Sequence, residues 1–227
     1  MAAGYAHVLR NGLNLSVEGY YKDLQNLIEY KEGATFFSAN VDWQDKVTTG
    51  RGWAYGTELL LEKKEGNTTG WLGYTLAWAN RQFDAVNSGN PYPFTYDRRH
   101  DVSLVVNHRI TDKWTAGMVW VYGTGRATTL PTTRYAGSPF EQFFGTVEYV
   151  ASRNNFREPA YHRADISLTW KRPTRWGDGA WQFGVYNAYN RINIFYMDFG
   201  YDDSNNRVLK GFGLFPLIPS ISYSFEF

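Results

Sequence analysis

Metal or general-base chemistry in this chain has to start from four imidazoles, His7, His100, His108 and His162. No two of them stand four residues apart on a helical face, and no HExxH run is present. His108 and His162 fall on apolar strand faces near strand ends, which suits a residue at a polar–apolar boundary better than a metal ligand. The chain has no cysteine, which excludes disulfides, thiolate metal sites and cysteine nucleophiles. Gly123-Thr124-Gly125 lacks the third glycine and the following helix of a dinucleotide loop, and reads as a flexible strand end. Asp97, Arg98, Arg99 and Asp101 crowd four charges into a short run that could serve acid–base chemistry. No Ser-His-Asp set can be built from spacing to join them. With Glu58, Arg163 and Asp165 they read instead as a charge network lining a polar interior, because withdrawn charges need partners. No catalytic residue, metal or cofactor is expected, and the chain is not read as an enzyme.

Aromatic side chains are the other candidates for recognition. The chain carries 9 Trp, 17 Tyr and 15 Phe, and many stand in polar, glycine-rich stretches away from any apolar run. There they either pack one loop against another or offer flat surfaces to sugars, chelates and peptides. Trp43, Phe94, Tyr135, Phe144, Tyr149 and Tyr201 are the candidate ligand contacts.

The elements that would position these groups alternate polar and apolar residues. Leu217, Pro219, Ile221, Tyr223, Phe225 and Phe227 alternate with Ser220, Ser222, Ser224 and Glu226 near the end of the chain. Trp114, Ala116, Met118, Trp120 and Tyr122 do the same against Thr115 and Gly117, and Ala164, Ile166, Leu168 and Trp170 against Arg163, Asp165, Ser167 and Thr169. A period of two is a strand with one apolar face, and no long segment has the 3.6 period of a helix. Nine strands are predicted, over 2–9, 13–30, 47–63, 69–84, 97–110, 114–129, 160–172, 179–197 and 209–227. Phe143 to Val150 could pass for one more.

The connections sort by length. Turns at 10–12, 66–68, 111–113 and 174–178 are short and rich in turn formers, whereas 31–46, 85–96, 130–159 and 198–208 are long. Strict alternation of short turns and long loops, long strands and a heavy aromatic load describe a transmembrane antiparallel β-barrel meander rather than a soluble sandwich. Twenty-three basic against 22 acidic residues leave a net charge of +1, without the basic footprint of a nucleic-acid binder. No apolar run is long enough for a membrane helix.

Five runs carry a family resemblance. Glu18 to Ile28, Pro93 to Asp101, Trp114 to Pro131, Val185 to Arg191, and Leu214 to Ser220 with the closing Phe225-Glu226-Phe227 resemble, in order, strand runs of TonB-dependent outer-membrane receptors. The resemblance is to the last part of that family's 22-stranded barrel, and nothing in the chain resembles its plug domain or TonB-engaging segment. It implies a bacterial outer-membrane receptor that takes up a scarce nutrient (a metal chelate, cobalamin, an oligosaccharide or a peptide). Its partners would be outer-membrane lipid, the upstream barrel strands and plug, TonB reached through that plug, and the outer-membrane assembly machinery. Tyr223, Phe225 and Phe227 resemble the assembly signal. An odd strand count and a first strand without a preceding signal peptide set the expectation that residues 1–227 are one incomplete barrel domain. A small autonomous barrel acting as a passive porin or adhesin is the alternative.

Overall fold

A computed structural model describes residues 1–34, 42–136 and 146–227. Nine strands in a row, with the two-residue strand Tyr92–Pro93 added beside the end of the fourth, build one sheet: β1 Ala2–Val8, β2 Leu13–Tyr30, β3 Val47–Lys63, β4 Thr68–Phe83, β5 His100–Arg109, β6 Trp114–Gly123, β7 Tyr161–Thr174, β8 Gly177–Tyr186 and β9 Ile218–Glu226. Spatial order follows chain order and each neighbouring pair is antiparallel, so the sheet is a meander. Because nine is odd, β1 and β9 run in the same direction, and among the described residues each has one neighbour. Short turns gather at one end and four long loops at the other, as the alternation of connection lengths predicts.

The pleat separates two faces. The apolar one carries Leu72, Leu104, Trp120, Ile166 and Phe183; the polar one carries Glu58, Ser103, Asp165, Ser167 and Ser222. The apolar face is uncovered. Ile166 is 47% exposed and Ile221 63%, and the buried apolar residues among those described are Phe83, Val86, Tyr92, Ala127 and Ala164. A water-soluble domain of this length would bury most of its apolar strand face, because each large side chain left in water forgoes about 1.5–3 kcal/mol. This sheet does not bury it, so the face is built for an apolar solvent.

Two aromatic rows frame that face. Near the short turns Trp114, Trp170, Trp181 and Tyr223 stand directly opposite one another across β6 to β9. Trp114 stacks on Trp170 at 5.7 Å and Trp181 leans on Tyr223 at 4.8 Å. Near the loops Tyr55 stacks on Trp78 at 5.2 Å and Tyr122 on His162 at 6.3 Å. His162 shares a 2.8 Å hydrogen bond with Tyr189, and His108 one of the same length with Thr68, so both imidazoles are tied to hydroxyls at the margins.

Most predicted bounds lie within three residues of the observed ones, but three predicted strands overrun the sheet, each for a local reason. The predicted strand 179–197 stops at Tyr186, because Asn187 adopts a φ of 53° and turns the chain. Residues Asn193–Tyr201 and Arg207–Leu214 pair with each other in a hairpin beyond the sheet, so 209–227 divides at Phe215 (φ 59°). The predicted 114–129 stops at Gly123. Beyond it Ala127–Thr128 turn away to pair with Phe156–Arg157. Thr146–Tyr149 do form a strand, but in a separate hairpin with Thr133–Ala136, so the count of nine stands. The Gly123-Thr124-Gly125 run is packed closely, since a Cβ on Gly125 would collide with the Glu158 carbonyl.

Candidate functional site

The long-loop end holds the only buried apolar cluster among the described residues, and it anchors everything polar around it. Phe83, Val86 and Tyr92 pack together with Leu27. Gly50 makes room, because a Cβ there would strike the Phe83 ring. Around this cluster the loops are laced by ion pairs. Glu29 at the end of β2 accepts from Arg81 (3.4 Å) and from Arg153 of the loop 124–160 (3.2 Å). Asn87 accepts from the Arg153 backbone at 2.9 Å, and its own N–H donates to Glu32 at 2.6 Å. Burial pushes the Tyr92 phenol above its usual range, with the Glu29 carboxylate adding to the effect and Arg153 and Arg81 opposing it.

Asp97 is the structural centre of the charged run 97–101. It is 2% exposed, and its Oδ1 accepts the Ala79 N–H at 2.7 Å, standing in for the strand partner that β4 lacks at this point. Its Oδ2 accepts from Arg157 at 2.6 Å and Arg99 at 3.3 Å. Arg157 also donates to the Asp97 carbonyl. The carboxylate thereby joins β4, the start of β5 and the loop 124–160. Arg163 and Asp165 pair at 2.9 Å on the polar face of β7, and Arg98 meets Asp101 more loosely at 3.8 Å. The charge network satisfies itself only in part. Asp97, Arg98, Arg99, Asp101, Arg163 and Asp165 are paired, but the Nε atoms of Arg99 and Arg163 are buried without partners. Glu58 lies on the polar face of β3 directly opposite Glu18 of β2, with no ion pair among the described residues.

Beside this network a cavity of about 380 Å³ opens at the loop end. Arg98, Arg126, Glu158, Tyr161, Tyr186 and Phe215 are among its walls. Arg126 and Glu158 form a two-pronged ion pair at 3.0 and 3.2 Å. Arg163 lies beneath and donates to both phenols, at 2.9 Å to Tyr161 and 2.6 Å to Tyr186. Each hydroxyl accepts from the guanidinium, which orients both phenols at the cavity wall. Asn187, fully buried, fixes the far wall: it accepts from the Arg191 N–H at 3.1 Å and donates to the carbonyls of Arg191 (2.9 Å) and Phe215 (3.2 Å). The cavity offers phenol and guanidinium donors beside apolar rings, which suits a small ligand rich in acceptor oxygens.

The aromatic candidates divide by position. Tyr135, Tyr149 and Tyr201 come to neighbouring hairpins, where Arg134 donates to the Tyr201 hydroxyl at 3.3 Å and Arg207 pairs with Glu148. All three rings are half exposed. Phe94 is used inside its loop, with the Arg81 guanidinium 3.6 Å from its ring centre and Tyr96 edge-on at 5.2 Å. Trp43 stands exposed on the short helix Trp43–Lys46. Phe144 lies outside the described residues. The turn of the outer hairpin is held by Asp202, whose carboxyl stays below its usual range because it accepts the Asn206 backbone N–H and side-chain amide and the Ser204 N–H. Tyr161, Tyr186 and Arg126 were not among the sequence candidates, although Tyr186 lies inside the run 185–191 and Arg126 inside 114–131.

Comparison with known proteins gives a family and several similar solved structures, among them two iron receptors. The model of the TonB dependent receptor-like β-barrel family matches residues 3–188. The ferric-catecholate import receptor Fiu from K12 E. coli, in its closed form, superposes with a TM-score of 0.56 at 18% identity, covering 98% of this chain and 26% of that one. The ferric citrate transporter FecA in its unliganded form gives 0.58 at 14% identity, covering 98% and 29%. This chain thus spans less than a third of either. No curated protein sequence matches it.

Proposed function

The chain belongs to the TonB-dependent receptor β-barrel family, and from that premise we propose that it forms part of the barrel of an outer-membrane receptor for TonB-driven uptake of a scarce nutrient. Receptor barrels of this family are outer-membrane proteins, and the uncovered apolar face then meets lipid while the polar face lines the interior. Trp114 and Tyr122 mark the two interfaces on β6, about 27 Å apart along the strand and about 20 Å along a tilted barrel axis, close to a membrane's apolar band. The long-loop end faces the medium and the cavity opens at its mouth. The single observation carrying the ligand reading is that cavity, at whose wall Arg163 orients two phenol hydroxyls able to meet acceptor oxygens. A ferric chelate presents such acceptor oxygens, and both solved neighbours are named for iron import; cobalamin, oligosaccharides and peptides are the other candidates. Tyr135, Tyr149, Tyr201, Trp43, Phe94 and Phe144 contribute loop contacts to the arriving ligand.

Accumulation of the labelled nutrient by cells expressing the receptor is expected to cease when TonB is deleted, and Tyr186→Phe should raise the half-saturating concentration about fivefold through one lost donor. Uptake that continues at full rate without TonB would contradict energised transport and favour a passive porin.

The orientation and the assembly signal can be read in a single assay. Cysteines placed at Asn87 or Asn205 in the receptor are expected to react with an impermeant reagent on intact cells, and one at Asn67 is not. Tyr223 and Phe225 face outward on β9, and Phe227 follows its end. The assembly machinery reads this segment by adding it to an open sheet edge, so deleting Phe227 should lower the labelled amount severalfold. Labelling at Asn67 alone would reverse the orientation, and undiminished labelling without Phe227 would leave that residue as ordinary surface.

A further inference from the structure

The turn between β7 and β8 concentrates features that neither transport nor barrel closure requires. Arg172 follows Trp170 by two residues on the same outward face, directly opposite Gly179, and its guanidinium lies 5.8 Å from the Trp170 ring centre. Arg175 sits 4.6 Å from the ring centre of Trp176, which is 72% exposed. The turn is ordered: the Thr174 hydroxyl donates to the Gly177 carbonyl at 2.8 Å and accepts the Trp176 N–H at 3.2 Å. Gly179 carries no Cβ, and the Tyr223 hydroxyl reaches to within 2.7 Å of where one would stand, so the phenol also leans toward the turn. Among the described residues neither the Arg172 nor the Arg175 side chain has an ion pair or hydrogen bond. Asp178, the nearest carboxylate in sequence, stands opposite Glu226 at polar-face positions, with Lys171 on that same face.

We propose that Arg172 and Arg175, with the Trp170–Trp181–Tyr223 row and Trp176, form a binding site for the phosphate headgroup of an anionic phospholipid in the inner leaflet of the outer membrane. The proposal rests on the membrane-spanning reading above. Two residues beyond Trp170 is about 6–7 Å along the strand. That step carries a side chain from the level of the aromatic belt to the level of the headgroups. Two uncompensated guanidinium groups at that height, each stacked on an indole, complement a phosphate that sits above acyl chains lying on the aromatic row. The commitment is to a lipid, because the rings beside the cations would gain nothing from a free anion.

The test is native mass spectrometry of the detergent-purified full receptor titrated with phosphatidylglycerol, with phosphatidylcholine as the neutral comparison. The expected result is a tightest phosphatidylglycerol site weakened about tenfold or more in the Arg172→Ala/Arg175→Ala double variant. Binding should be retained in the double lysine variant, and millimolar inorganic phosphate should not compete. Equal phosphatidylglycerol affinity in wild type and double alanine variant, or full displacement by inorganic phosphate, would overturn the site. Heat-modifiable migration of the same samples separates the two levels, because a barrel that shifts normally and binds lipid without preference refutes the site alone, whereas a protein with no shift refutes the membrane barrel beneath it.

Discussion

Asp97→Ala in the full receptor is expected to lower the stability of the folded barrel by about 3 kcal/mol, seen as a lower urea midpoint for the heat-modifiable form. The substitution removes an acceptor with three separate donors. The Ala79 N–H loses its 2.7 Å partner, and Arg99 and Arg157 are left facing each other without the carboxylate that separates them. Breaking a buried ion pair costs about 3–5 kcal/mol when the remaining charge is trapped. Here the two arginine side chains are 31% and 32% exposed, so they recover some hydration and the lower end of that range applies. Asp97→Asn keeps an acceptor for Ala79 and should lose about half as much. Arg98→Ala is the control. Its pair with Asp101 is 3.8 Å long and both partners are more than a third exposed, so a change below about 0.5 kcal/mol is expected. An Asp97→Ala barrel as stable as wild type would mean that Asp97 does not hold the loops to the sheet.

The frame was legible in the sequence where the physics is local. Alternation over Trp114–Tyr122 and Ala164–Trp170 sets both the strand and its apolar face, because a one-residue slip would reverse every side chain; it does not say whether that face points in or out. Turn composition at 10–12, 66–68 and 111–113 sorted the two ends of the sheet. The pattern misleads at residues 187–217, where the outer hairpin alternates as a membrane strand does. What separates it from the sheet is the positive φ of Asn187 and Phe215, and a period of two does not report a backbone angle. The charged run 97–101 was legible as a set of paired charges, yet not the role of Asp97 as a surrogate strand acceptor, which depends on Ala79 eighteen residues earlier. Arg153 and Arg157 were invisible for the same reason. Their partners Glu29 and Asp97 lie 124 and 60 residues away in sequence, and only the folded loops bring them together. Of the aromatic candidates, Tyr201 meets Arg134 where two loop hairpins come together, Tyr135 and Tyr149 stand at the alternate positions of the Thr133–Ala136 hairpin, and Phe94 is held by Arg81.

The second large effect concerns the sheet itself. β1 and β9 run parallel and each presents one unpaired edge among the described residues. An unpaired backbone group in hydrocarbon costs several kcal/mol, so an open sheet cannot rest in a bilayer with both edges bare. With the chain spanning 26% and 29% of the two iron receptors it resembles, we propose that these nine strands are completed by further strands of a larger barrel. Closing nine antiparallel strands on themselves would force a parallel seam between β1 and β9, whereas bacterial single-chain barrels keep even strand numbers. The most direct measurement is to refold residues 1–227 alone in detergent, record heat-modifiable migration and aggregation state, and assay ion conductance after reconstitution. The prediction is an aggregated, non-conducting chain that becomes heat-modifiable only when the preceding strands of the receptor are supplied with it. A monodisperse, heat-modifiable monomer that conducts ions on its own would contradict the account and make the chain a small autonomous pore.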